Sequence, residues 1–127
     1  MFSYDNLVNA IAEGYSKSIS NLNDQKITEE GSQLVHPINN VIYLDNTTAK
    51  IEAIINDAST HVGRLFIVKA ISEPASGQEH TVTITNGTWD GTNKVATFAD
   101  INDALHVYFD TLGNGSILLN TGSVTLS

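Results

Sequence analysis

The side chains of this 127-residue chain with chemistry to offer are four histidines, a few carboxylates in turns and one tryptophan. His36, His61, His80 and His106 stand far apart, and none has a second histidine two or four residues on, the spacings that aim two nitrogens at one metal. His80 and His106 fall in strand-like runs and could meet across a sheet as a metal pair; the plainer reading is two solvent-facing strand histidines. Asp100 and Asp103 flank the loop Ala99-Asp100-Ile101-Asn102-Asp103-Ala104, and Asp90 lies in another turn. Such carboxylates could hold calcium or form an acid–base pair. Calcium asks for six or more oxygens, and the dense Asp-x-Asp-x-Asp-Gly spacing is missing. Asp and Asn bonding their own backbone in turns account for the same residues. With no cysteine, disulfides and thiolate metal sites are excluded. Neither a phosphate-cradling Gly-x-Gly-x-x-Gly or Gly-x4-Gly-Lys-Ser/Thr run nor a Gly-x-Ser-x-Gly elbow occurs, and Leu112-Gly113-Asn114-Gly115-Ser116 reads as a hairpin turn. Trp89, between Thr88 and Asp90-Gly91, either anchors an exposed carbohydrate or protein contact or caps the end of a β core. No catalytic residue, metal or cofactor is expected.

The elements that would carry these residues are mainly extended. Val41–Leu44, Arg64–Ile71, Glu79–Thr85, Lys94–Phe98, Ala104–Asp110, Ser116–Asn120 and Ser123–Leu126 are short apolar or alternating runs. They are separated by turn pairs such as Glu73-Pro74, Asn86-Gly87, Asp90-Gly91 and Asn114-Gly115, the last a strong hairpin signal. The segment 48–57 fits a strand or one to two helical turns. No strand–helix rhythm supports a parallel α/β sheet. The expected fold is mainly β, an antiparallel β-sandwich or jelly roll over 33–127. Its expected core is Leu44, Leu65, Ile67, Val82, Ile84, Phe98, Leu105, Val107, Phe109, Leu118, Val124 and Leu126.

Ahead of it, Leu7, Ile11, Tyr15, Ile19 and Leu22 form one apolar stripe of helical period, predicting an N-terminal helical arm over 4–23. Gly14 weakens that helix by about 1 kcal/mol, so its stripe needs a surface to bury against. Residues 23–33 are polar and end near Gly31-Ser32, which reads as a linker and puts arm and linker in 1–32. No apolar run approaches the ~20 residues that span a bilayer. The start Met1–Asn9 lacks a basic region and carries Asp5, unlike a secretory signal. Net charge is −8, and the six cations (Lys17, Lys26, Lys50, Arg64, Lys69, Lys94) are scattered. Phosphate neutralisation needs clustered cations, so neither nucleic acid nor a membrane is an expected partner. Acidity of this kind serves solubility or docking onto a basic protein surface.

Two stretches then stand out: Asn86-Gly87-Thr88-Trp89-Asp90-Gly91-Thr92-Asn93-Lys94-Val95-Ala96-Thr97-Phe98 and Leu119-Asn120-Thr121-Gly122-Ser123-Val124-Thr125-Leu126-Ser127. Together they resemble the "GTFDGTN-x-VATF … ENTGSVALS" pattern of small virion structural proteins of tailed bacteriophages, capsid decoration (cement) proteins or head-fibre components. Trp89 stands where that pattern often has Phe. The resemblance implies a β-sandwich that assembles as a homotrimer and binds the major capsid protein. Such a protein is made in the host cytoplasm and resides on the capsid exterior. A receptor- or carbohydrate-binding module of a fibre or tail, using Trp89 and Tyr108 as stacking platforms, is the alternative. A small metal-dependent β-barrel or cupin-like enzyme is the third.

Overall fold

Alternating apolar and polar residues make extended segments, and the structure, a computed structural model describing residues 24–127, shows ten of them. They are β1 (Asp24–Ile27), β2 (Gly31–Leu34), β3 (Val41–Leu44), β4 (Ile51–Asp57), β5 (Leu65–Ala70), β6 (His80–Asn86), β7 (Val95–Phe98), β8 (Ala104–Phe109), β9 (Gly115–Thr121) and β10 (Thr125–Leu126). A single 3₁₀ turn, Ala58–His61, is capped by Asp57, whose carboxylate accepts from the Ser59 amide. The strands form two five-stranded sheets, β1-β3-β5-β8-β9 and β10-β7-β6-β4-β2.

The chain is therefore mainly β, but the sheets are mixed, which corrects the wholly antiparallel expectation. From β1 to β6 each connection crosses to the other sheet, so β1, β3 and β5 run parallel in the first and β2, β4 and β6 parallel in the second. Parallel neighbours need a crossover between them, normally a helix. Here a strand of the opposite sheet fills that role. In-sheet hairpins appear only later, at β6–β7 and β8–β9. Asn-Gly and Asp-Gly pairs, which supply the positive φ of tight turns, also occur only from Asn86-Gly87 onward. Earlier loops lack those pairs, although Gly31, Gly63 and Gly77 also adopt positive φ, and they carry the chain about 10 Å across to the facing sheet.

One apolar cluster fills the space between the sheets. The first sheet contributes Ile42, Leu44, Phe66, Val68, Leu105, Val107 and Phe109; the second Ile51, Ala53, Ile55, Val82, Ile84, Ala96 and Phe98. Of the expected core residues, Leu44, Val82, Ile84, Phe98, Leu105, Val107, Phe109 and Val124 are buried, and Leu126 packs partly against the cluster. Leu65 and Ile67 do not belong to it. The run Leu65-Phe66-Ile67-Val68 is apolar at every position, so period two cannot choose a face, and Phe66 and Val68 are the ones turned inward. Leu118 is also outside, 59% exposed. A bulge sets Ile117 opposite Val107 and Leu119 opposite His106, so Leu118 has no partner on β8.

Of residues 48–57, 51–57 form strand: β4 buries Ile51, Ala53 and Ile55 and turns Glu52 and Ile54 outward. The segment expected to be a linker carries β1 and the start of β2. β1 is polar because it is an edge strand, held to β3 in parallel and by a 3.1 Å Lys26–Asp45 ion pair, with Ile27 buried. The expected helical arm, with Leu7, Ile11, Tyr15, Ile19 and Leu22, lies outside the described residues.

Candidate interaction surface

The same alternation that fills the core assigns an outer face to each sheet. On the first sheet, cross-strand register aligns Val41, Ile67, His106 and Leu119 in one row, and Tyr43, Lys69, Ala104 and Thr121 in the next. Leu65 faces Tyr108, which faces Ser116. Leu65, Tyr108 and Leu119 are 41%, 46% and 51% exposed. Val41 and Ala104 are buried yet outside the core cluster. This makes a thin second apolar layer outside the core. Single exposed apolar residues are ordinary, whereas a contiguous patch marks a place of contact.

The second sheet presents different chemistry. Its outward rows are Ser32, Glu52, Thr81, Thr97 and Thr125, then Leu34, Ile54, Thr83 and Val95. Hydroxyls that hydrogen-bond water equally well gain little from a partner. The apolar row beside them offers Leu34, 45% exposed, with Ile54 and Val95, against Leu65, Tyr108, Leu118 and Leu119 on the first sheet. Among the described residues the first sheet therefore has more apolar surface to release on burial.

The residues singled out for chemistry are scattered by the fold. His80 is buried between the sheets, whereas His106, flanked by buried Leu105 and Val107, lies on the outer face of the first sheet. They belong to different sheets and cannot share a metal. Among the described residues no three His, Cys, Asp or Glu side chains gather as metal ligands. The His80 Nδ1 accepts the Ile51 amide at 3.0 Å, which places the ring proton on Nε2. Burial lowers the His80 pKa, opposed by the Asn46 and Ser72 carbonyls and the Asp45 charge. Asp45, Ser72 and His80 are the residue types of a hydrolytic triad, but this tautomer leaves His80 no lone pair to take a serine proton. His61 is wholly buried with neither ring nitrogen bonded, beside a cavity of about 80 Å³ bounded by Leu34, Val35, Pro37, Ile55, Asn56, Asp57 and Thr60.

Asp90 and Asp103 act on turns, as the simpler reading expects. Asp90 accepts the amides of Thr92 and Asn93, and these bonds, those from the Asn93 backbone and side-chain amides foremost, hold its carboxyl below the usual range. Asp103, 2% exposed, accepts the Asp100 amide at 3.1 Å and the Ser123 amide at 3.0 Å, stapling the loop before β8 to the loop after β9. Gly122, at φ +84°, is required there, because a Cβ would lie 2.0 Å from the Asp103 Oδ1. Asp103→Ala should lower unfolding free energy by about 1–3 kcal/mol in a urea titration, since two amides lose their acceptor. Calcium should leave the wild-type midpoint unmoved; a rise would show that these carboxylates bind the ion after all.

Trp89, considered for an exposed contact, is instead fully buried. Its ring packs on Phe109 and Phe66 at centroid distances of 5.9 and 6.3 Å, and its Nε1 donates to the Val82 carbonyl at 3.2 Å. Of the two stacking platforms required for glycan binding, only Tyr108 is on the surface. The sequence held no sign of the outer face, because Leu65, Ile67 and Leu118 look like core residues until the register is known.

No family model, curated protein or solved structure matches this chain. The two stretches that carry the phage resemblance do, however, meet in the fold. Thr97 pairs with Thr125 and Ala96 with Leu126, and the Ser127 carbonyl accepts the amides of Lys94 and Val95 at 3.0 and 2.9 Å.

Proposed function

We propose that this chain is a capsid decoration (cement) protein of a tailed bacteriophage, a non-catalytic module that seats the outer face of its first sheet on the head shell. The observation that carries the reading is the apolar layer of Leu65, Ile67, Tyr108 and Leu119 on one side of a small acidic domain. Among the described residues its charged side chains are Asp24, Lys26 and Lys69, with Asp45 paired to Lys26 at its margin, so this face carries little net charge to repel a partner. The two stretches on which the resemblance rests lie together in the fold, as β7 and β10. The major capsid protein is the partner this reading requires.

Co-sedimentation with expanded heads of the phage that encodes the chain tests it. Wild-type protein should pellet with the heads. Leu65→Glu combined with Tyr108→Glu should weaken binding by roughly tenfold or more, because each buried side chain of this size contributes about 1.5–3 kcal/mol. Both positions are exposed, so the fold should be unaffected. Wild-type protein left in the supernatant would end the proposal.

A further inference from the structure

The edges of a sheet leave backbone N–H and C=O groups without ladder partners, and proteins shield them by brevity or by charge. Among the described residues the fold has four edges: β1 and β9 in the first sheet, β10 and β2 in the second. β10 is two residues long, β1 and β2 four each, and β1 carries Asp24 and Lys26. β9 is different. It has seven residues, Gly-Ser-Ile-Leu-Leu-Asn-Thr, with neither charge nor proline, and spans about 23 Å at 3.3 Å per residue. Leu118 and Leu119 are 59% and 51% exposed, and Leu112, in the turn leading into β9, is 78% exposed. The bulge leaves Leu118 with no partner on β8.

We infer that β9 is the seam at which two copies of this chain join, edge to edge and antiparallel across a two-fold axis. The two first sheets then form one ten-stranded sheet. The occupant is a second copy because an isologous contact needs a surface complementary to itself, and an uncharged strand rich in leucine satisfies that. Beyond Gly115, whose amide is already bonded to the Thr88 carbonyl, a chain of net charge −8 meets its copy along Ser116–Thr121 without setting carboxylate against carboxylate on the strand itself. Pairing also brings two apolar outer faces side by side on one continuous surface, so attachment at one reinforces the other. The seam itself does not require the shell reading; only this last benefit does. It yields an even number of chains, in place of the trimer that the phage resemblance implies.

Light scattering on the full chain tests the seam. Wild type should show an even-numbered mass at micromolar concentration, and Leu118→Lys with Asn120→Lys should reduce it to the monomer with unchanged far-UV circular dichroism. Leu65→Glu with Tyr108→Glu should keep the wild-type mass while losing head binding, which separates the two proposals. A monomeric or three-fold wild type, or a seam variant that keeps the wild-type mass, would overturn the seam. Should the seam variant not fold, amide exchange on wild type decides: β9 protection that rises with protein concentration supports the pairing, and protection independent of concentration refutes it.

Discussion

Replacing Trp89 with alanine should lower the unfolding free energy by about 3–5 kcal/mol, the range for deleting a large buried aromatic. Typical domains have only 5–15 kcal/mol in total, so the variant should be close to unfolding at room temperature. Trp89 sits where the loop after β6 is pressed onto the loop after β8. Thr88 donates its amide to the Gly113 carbonyl at 3.0 Å, and Gly115 donates to the Thr88 carbonyl at 2.8 Å. The approach is close enough that a Cβ on Gly115 would lie 2.2 Å from the Trp89 carbonyl oxygen. Deleting the indole would hollow this junction and leave Phe66 and Phe109 without their third ring. Trp89→Phe should retain most of the stability and lose mainly the bond to Val82, about 1 kcal/mol. Urea unfolding followed by far-UV circular dichroism checks both, since the chain has no other tryptophan to report by fluorescence. An alanine variant as stable as wild type would mean that the indole is not in the core. Loss of any binding activity in Trp89→Ala should accordingly be read as loss of fold.

Stability should decline as pH falls from about 6.5 towards 4, before the carboxylates begin to titrate. Burial, reinforced by the Arg64 charge and opposed by Asp57, lowers the His61 pKa from 6.5 to about 4. The lowered folded-state value means that the unfolded chain binds the proton first, so the neutral ring stabilises the fold fully above 6.5 and progressively less below it. A shift of that size corresponds to at most about 3 kcal/mol. His80 acts in the same direction, since a proton on its Nδ1 would expel the Ile51 amide from a buried bond. Asp45 and Asp57 are held below the carboxylate range, Asp45 chiefly by its bond to Lys26 and Asp57 by the Ser59 hydroxyl, so their contribution fades only below about pH 4. Thermal unfolding between pH 7.5 and 4.5 should show a falling midpoint in wild type and a flatter profile in His61→Leu. A wild-type midpoint constant over that interval would contradict the burial of both rings.

The amino-acid sequence by itself determined that the chain is mainly β and where most strands lie. Alternation in His80–Asn86 and in Ala104–Phe109 fixes both the extended backbone and the inward residues, because a strand shows its side chains to opposite faces at a period of two. The same local logic assigned Asp90 and Asp103 to turns. Where alternation was missing, only the tertiary structure decided. Leu65-Phe66-Ile67-Val68 is apolar throughout, and which pair enters the core depends on strands β3 and β8 on either side. Residues 24–34 are too polar to look like strands, yet pairing with β3 and β4 makes them so, since an edge strand needs only one partner and little burial. Trp89 could have pointed either way from its turn until Phe66 and Phe109 were brought beneath it. The crossing of each early loop to the opposite sheet, and with it the apolar outer face and the place of β9 at a sheet edge, depends on contacts between residues far apart in the chain, which no local pattern encodes.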